Sequence, residues 1–409
     1  MKKLLGVTLG ILTAMGGFVD IGDLVANSAT GARYGMSLAW AVVLGVVGIV
    51  VYAEMSGRVA SVTKRATFDL VRERLGARAG LLNLGASFFI TMLTLIAEVA
   101  GVALSVQLVT DVNYLLWIPL AGFAVWLVIW RVKFETLETT FGLLGLAMIV
   151  VVVAVVQLDP SWTQLWHHAT HPSVPSGEGH PTYFYYAIAL FGAAMTPYEV
   201  FFFSSGAVEE KWTRSDLMLN KANVYLGFPL GGLLSLGLMA SAALVFHPLG
   251  VGVENLSQVA LPTSVALGKV GLAFIIVGFV ACTFGAALET ALSCGYTMSQ
   301  YFGWQWGKLV APRDASRFHL VALLSVFVAI VVGLTAIDPI KVTEYSIVLS
   351  AAALPLTYFP ILVIANDRTY MGEEVNGPVQ NTIASIYMVI LTVVALATVP
   401  LMIATKAGS

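Results

Sequence analysis

The chain has 409 residues, 58% hydrophobic and only 11% charged, with a mean hydropathy of +0.87 and a formal net charge of -2. Soluble domains carry about 25% charged residues, so the composition excludes a soluble globular protein and places the chain in a membrane. It has no basic, aromatic-interleaved patch of the kind that binds nucleic acid.

The start, MKKLLGVTLGILTAM, lacks an A-x-A cleavage site and reads as a retained helix rather than a signal peptide. Apolar windows long enough to cross a bilayer fall near 5–30, 36–56, 82–108, 113–131, 136–158, 183–208, 219–247, 266–300, 318–337, 342–366 and 381–404. These are eleven predicted spans; the seventh and eighth are long and read as tilted. Polar connectors such as 58–80 and 158–182 separate them, and residues 1–404 are expected to form one membrane domain. Cys282 and Cys294 lie on one span, roughly 18 Å of helical rise apart, too far for a disulfide.

Lys and Arg set the orientation. With the N-terminus cytoplasmic, all of the 21 but Arg33, Lys269, Lys341 and Lys406 fall on the inner side. The expected topology is therefore N-terminus in and C-terminus out, in the plasma (inner) membrane. The basic stretch from Arg58 to Arg78 reads as part of this topology signal, attracted to anionic lipid.

Five acids fall inside spans: Asp20 and Asp23 in the first, Glu98 in the third, Glu199 in the sixth and Glu289 in the eighth. Each charge in a bilayer costs about 2.5–3.5 kcal/mol even on the lenient insertion scale, which makes the Asp20–Asp23 pair a functional feature. For Glu98 and Glu289 taken singly, a Ser, Thr or backbone partner is an equally good explanation. Spans one and six also carry helix breakers: Gly16, Gly17 and Gly22 in the first, and Pro197 within GAAMTPYEVFFFSSG in the sixth. An interrupted pair five helices apart is the mark of an inverted-repeat transporter whose first and sixth helices are broken at the midplane. Carboxylates beside freed backbone carbonyls make an oxygen-rich pocket, which is what a hard cation needs in exchange for its water shell.

Four stretches carry a family resemblance: DIGDLVANSATGARYG (20–35), AEMSGRVASVTKRATFDLVRERLG (53–76), AEVAGVALSVQLV (97–109) and LPLTYFPILVIANDRTYMGEEVN (354–376). Together they resemble the natural resistance-associated macrophage protein family of divalent-metal transporters, over essentially the whole chain. The resemblance implies an all-α, leucine-transporter-type fold. Its two inverted halves of five helices, about 5–158 and 183–366, would be followed by an eleventh helix at 381–404. It implies a metal ion as substrate, no cofactor, and a site between the broken first and sixth helices. Asp20 matches the family's metal-binding aspartate and Asp23 its metal-binding asparagine. Thr196 matches the methionine before proline, Pro197 the proline, and Tyr198 and Glu199 the His-Asn pair that follows.

The departures shape the expected selectivity. A thioether favours softer transition metals; here Thr196 supplies a hydroxyl, and Asp23 adds a carboxylate. An all-oxygen, acidic site favours harder ions, Mg²⁺ or Ca²⁺ above all, unless Met195 reaches the ion around the unwound turn; Mg²⁺ or Mn²⁺ is the expected cargo. The expected ligands are Asp20 and Asp23 with the carbonyls of Gly22 and Ala193, completed by Thr196 and Glu199. Glu98, Tyr198 and Met195 are second-tier candidates for ion or proton passage. Leu95, Tyr198 and Phe203 stand where the family moves protons, and no span holds a buried histidine, so family-type proton coupling is not expected.

The loop holding His167, His168, His171 and His180, with Glu178, has two readings: a metal-collecting antechamber, or an interfacial loop anchored by SWTQLW. The interfacial reading is favoured. An aspartyl protease dyad needs carboxylates meeting from different helices, which Asp20 and Asp23 do not offer. With no HExxH or P-loop motif either, an enzyme is not expected. The strongest rival is a transporter of an organic amine on the same fold, since carboxylates also suit ammonium. Oligomeric state is not legible; a monomer is compatible with the sequence.

Overall fold

The computed structural model describes residues 11, 15, 17–132, 134–175 and 177–408. Much of the first predicted span therefore lies outside the described residues, as do Lys2, Lys3, Gly16 and Lys133. Every regular element among the described residues is helical. In chain order the α-helices are α1 (Ile21–Tyr34), α2 (Ala39–Thr63), α3 (Thr67–Leu75), α4 (Ala77–Thr110), α5 (Tyr114–Arg131), α6 (Phe134–Gly145), α7 (Ile149–Gln157) and α8 (Trp162–Thr170). Then come α9 (His180–Ala194), α10 (Pro197–Glu209), α11 (Leu217–Ala222), α12 (Phe228–Val245), α13 (Leu256–Phe302), α14 (Ser316–Gly333), α15 (Pro339–Ala365), α16 (Arg368–Met371) and α17 (Pro378–Ala404).

Among the described residues, 10 helical stretches are long and apolar enough to cross a membrane, and they correspond to predicted spans two to eleven. Two differ in detail. The eighth begins ten residues before its predicted start at 266, because Gly268 adopts φ 62° and joins two helical segments into α13 at a kink. That left-handed region favours glycine. The fifth is interrupted by a 3₁₀ turn, Leu146–Met148, between α6 and α7.

The connector 58–80 is the larger correction. It is mostly helical: α2 runs on to Thr63, Lys64 reverses the chain at φ 57°, and α3 follows before α4 starts at Ala77. Arg58 does not face lipid. It is 4% exposed and ion-paired with Glu54, one helical turn away, at 3.0 Å. Its guanidinium also donates to Asn376 Oδ1 at 2.6 Å and to the Glu374 carbonyl, tying α2 to the segment between α16 and α17.

Where lipid surrounds a protein, helices associate through close packing and small residues rather than water exclusion. Here α13 lies along α4, α12 along α1, and α15 along α4 and α9. A methyl group at Gly31 of α1 would stand 2.2 Å from the Met239 carbonyl of α12. One at Gly192 of α9 would stand 2.3 Å from the Ile347 carbonyl of α15. At both places glycine lets two backbones touch. The outer surface is the complement: Leu116, Leu396 and Ile403 are among many large apolar side chains left exposed, as a lipid-facing belt requires. Only 17% of the α17 window is buried, which puts this last helix on the periphery.

Candidate functional site

The break in the sixth span follows from one residue. Pro197 has no N–H, so the Ala193 carbonyl loses the donor four residues on, and the ring drives Thr196 out of the α region. Accordingly α9 ends at Ala194, Met195 sits at φ -128°, ψ 49°, Thr196 is extended at φ -65°, ψ 132°, and α10 restarts with Pro197 in its first turn. Thr196 Oγ1 donates to Glu199 Oε2 at 3.4 Å, so both polar groups of this turn sit together and buried.

The first span breaks at Val19–Asp20, between helical residues 17–18 and α1. Asp20 is the N-cap, extended at φ -111°, ψ -176°, and its Oδ1 accepts the Asp23 N–H at 3.0 Å. Such caps satisfy a free amide of the first turn, and the positive end of the helix dipole favours the carboxylate. Its other oxygen, Oδ2, accepts from the Tyr198 hydroxyl at 3.3 Å, which links the two breaks. Asp23, in the first turn of α1, accepts from Asn27 Nδ2 at 3.0 Å and from Ser235 Oγ of α12 at 2.9 Å through Oδ1. Its Oδ2 is buried with no hydrogen-bond partner. Asp20 and Asp23 are 2% and 1% exposed.

Of the residues predicted for the site, Asp20, Asp23, Ala193, Thr196, Tyr198 and Glu199 are all buried at or beside the two breaks. Gly22 and Met195 each have close neighbours of their own. Gly22 is not part of an unwound stretch; it lies inside α1, with Ile347 Cγ2 2.6 Å and Asp20 Oδ1 2.9 Å from where a Cβ would be. Any side chain there would displace the Asp20 carboxylate or α15. Met195 packs its sulfur against α2, where a methyl at Gly48 would stand 2.5 Å from it. The thioether is therefore packed between α2 and Tyr387 of α17.

Glu98 of α4 accepts the Ile21 N–H at 3.1 Å through Oε1 and has no partner on Oε2. Glu289 of α13 stands against Gly17, whose Cβ position is 2.9 Å from Glu289 Oε1. Residues that sequence reasoning passed over are Asn27 and Ser235, which orient Asp23. Asn27 was open to detection, because a buried-span amide four residues after an aspartate shares its helix face. Ser235, from a distant span, gave no local signal. Among the described residues, no three His, Cys, Asp or Glu side chains converge as a ready-made metal cluster. The oxygens here come from two aspartates, hydroxyls and broken-helix backbone.

At the end of α1 away from Asp20, Arg33 pairs with Glu178 at 3.0 Å and donates to the Tyr186 hydroxyl at 3.0 Å. Glu178 is thereby committed to Arg33 rather than joined with the histidines. His167 of the exposed helix α8 stacks on His171 just past its end, centroids 4.2 Å apart, and His168 and His180 are exposed too. At the opposite end, Glu209 closes α10 by accepting from the Tyr296 hydroxyl at 3.1 Å and from the backbone N–H of Lys308. Lys308 donates to the Ile129 carbonyl at 2.6 Å at the end of α5. Burial pushes its amine down to about 8, against the upward pull of Glu209.

A family model described as natural resistance-associated macrophage protein-like matches residues 10–400. Among solved structures, a histidine-to-alanine mutant of the manganese transporter of Eremococcus coleocola is 18% identical. The match covers 98% of this chain and 87% of that one, with a TM-score of 0.77. Mhp1, a nucleobase-cation-symport-1 family transporter in a closed conformation with bromovinylhydantoin bound, is 14% identical, with 98% and 92% covered and a TM-score of 0.61. MhsT in complex with L-phenylalanine is 14% identical, with 97% of each chain covered and a TM-score of 0.60. At these identities the likeness is one of fold, an all-helical transporter architecture shared nearly end to end.

Proposed function

The chain belongs to the natural resistance-associated macrophage protein family of integral membrane transporters, and from that premise we propose that it carries divalent metal cations by alternating access. The ion sits between the break at Val19–Asp20 and the break at Met195–Thr196. Asp20 and Asp23 are its principal ligands, and the Ala193 carbonyl, Thr196 and Glu199 complete the shell. The halves of the protein, two inverted sets of five helices, rock about this point, with the N-terminus cytoplasmic and the C-terminus outside.

One observation carries the reading: a pair of buried aspartates at a helix break, one of which has an oxygen with no protein partner. A buried carboxylate oxygen left bare is costly, and a cation is the natural group to repair it. The donor set also supports a harder preference, Mg²⁺ or Mn²⁺ before softer metals. The proposed ligand side chains, Asp20, Asp23, Thr196 and Glu199, offer only oxygen, and the sulfur of Met195 is packed against Gly48. Transport proceeds without obligatory proton movement, in keeping with the absence of a histidine from the two breaks.

The test is flux into liposomes holding the purified chain, with Mg²⁺ and Mn²⁺ influx followed beside an internal pH dye, for the native chain and Asp20→Ala. Mg²⁺ influx without acidification, abolished by the substitution, is the expected result. Mn²⁺ influx with acidification and no Mg²⁺ influx would overturn the selectivity and coupling. No movement of either ion would turn attention to an organic amine.

A further inference from the structure

Three segments distant in sequence meet around Gly35, at the end of α1 away from Asp20. The helix closes there, with Gly35 at φ 60°. The 3₁₀ turn His247–Leu249, which follows α12, packs against α1 and is anchored by Phe246, buried with Ala32 and Ala242. The third segment is α8. Its Leu165 and Ala169 pack on a buried cluster that includes Tyr34 of α1. The chain just past α8 is tied to Ser37, whose Oγ donates to the Ser173 carbonyl at 2.8 Å.

Two imidazoles from different segments border one gap at this junction. A Cβ at Gly35 would stand 3.7 Å from His247 Nε2 and 3.9 Å from His168 Nδ1, with no side chain between. His247 Nδ1 donates to the Ala32 carbonyl at 3.2 Å, so the ring proton is on Nδ1 and the Nε2 lone pair is left for the gap. An imidazole held by a backbone carbonyl through its other nitrogen is the arrangement that metal-ligating histidines adopt. His168 touches the edge of the His167 ring and makes no hydrogen bond to a described residue. The nearby basic residue in sequence, Arg33, is already paired with Glu178. His167 and His171 are occupied with each other, stacked and with His171 Nδ1 3.1 Å from the His167 carbonyl.

We infer that His168 and His247 form a binding site for a divalent transition ion, Zn²⁺ in the first place, beside Gly35 at the end of α1. Imidazole nitrogen suits zinc, nickel and copper, whereas Mg²⁺ takes oxygen ligands. Zinc–nitrogen bonds are about 2.0–2.1 Å, so each ring has to swing inward by about 2 Å. Both side chains are exposed, which permits that movement and lets water complete the tetrahedron. The site is the chemical opposite of the oxygen-lined region between the two breaks, and it stands or falls independently of the cargo reading. An ion bound there joins α8 to the turn after α12 across the end of the helix that begins at Asp20.

The experiment is Zn²⁺ calorimetry on the purified full-length chain in detergent, free of any polyhistidine tag and with Mg²⁺ in excess. Cys282 and Cys294 are buried and do not compete for the ion. The native chain is compared with His168→Gln, His247→Gln, the two combined, His171→Gln and Asp20→Ala. The native chain should bind Zn²⁺ saturably, and either of the first two substitutions should lose one ion or weaken it more than tenfold. The combined variant should lose no more than each alone, as two ligands of one ion require. His171→Gln and Asp20→Ala should retain the ion, and His247→Cys, which puts back a zinc ligand, should recover it and control for misfolding. A native chain with no saturable Zn²⁺ binding overturns the inference. So does a loss that follows Asp20→Ala instead, which would place the zinc at the aspartates, or one that follows His171→Gln instead, which would place it on α8 alone.

Discussion

Asp23→Asn separates a ligand from a structural acid, because the substitution keeps the shape and one hydrogen-bonding oxygen. Asp23 Oδ1 accepts from Asn27 and Ser235, and an asparagine oxygen can do the same. What changes is Oδ2, the buried oxygen with no protein partner, which becomes a neutral amide. A contact to a charged group contributes about 1.5–3 kcal/mol, so its loss from the ion's shell weakens Mg²⁺ binding by about 2 kcal/mol, roughly 30-fold. The readout is the stabilisation that Mg²⁺ confers on unfolding in detergent. At an ion concentration about 100 times the native dissociation constant, the native chain gains about 2.7 kcal/mol and the variant about 0.9 kcal/mol. Without ion the sign reverses. The variant carries one less unpaired buried charge and should be the more stable by about 1 kcal/mol. If Mg²⁺ stabilised both chains equally, Asp23 would not be a ligand, and its bare oxygen would need another account.

Three further expectations follow from contacts elsewhere. Arg58→Met strands Glu54 at 2% exposure and should cost about 3–5 kcal/mol in detergent unfolding, whereas Glu54→Met combined with Arg58→Met should recover most of it; equal losses would show that the pair is not what Arg58 contributes. Gly192→Ala puts a methyl 2.3 Å from the Ile347 carbonyl and should part α9 from α15, at about 1–3 kcal/mol by the same assay; a change under about 0.5 kcal/mol would mean the helices yield freely. For Lys308 the folded chain releases its proton near 8 and the unfolded chain near 10.5, so between these values the unfolded state carries more protons and stability rises with pH. Lys308→Met should flatten that rise in melting temperature, and an unchanged slope would assign it to another group.

The fold was legible because bilayer crossing is a one-dimensional constraint. A helix with lipid on one side must be apolar for its whole length, so spans two to eleven could be read as windows. What hydropathy cannot see is helix outside the hydrocarbon and residues whose charge is cancelled. The connector 58–80 read only as a polar, basic stretch, and within it α3 is a helix in which acidic Asp69 stands in the first turn and Arg72 and Arg74 in the last, the arrangement a helix dipole favours. Arg58 looked like a topology charge because its partner Glu54 was counted as part of an apolar window. The spacing of four between them was the overlooked signal. The kink at Gly268 was equally silent, since only backbone geometry distinguishes a left-handed glycine from a helical one.

The candidate site divides along a similar line. Pro197 dictates its own helix break through covalent chemistry, and the cost of Asp20 and Asp23 marks them without any structure. The orientation of neighbouring side chains has no such local cause, and Met195 shows why. One residue from Thr196 in an unwound turn, its sulfur could in principle face the breaks or face away. The choice is made by Gly48, 147 positions earlier in the chain, which leaves a hole on α2 that the thioether fills. Under the proposed hard-ion selectivity, a packing partner therefore matters as much as a ligand. A side chain at Gly48 as small as alanine's would press on that sulfur and push it back toward the turn that carries Thr196. The softness of the site would thus be set from a helix that contributes no ligand to it.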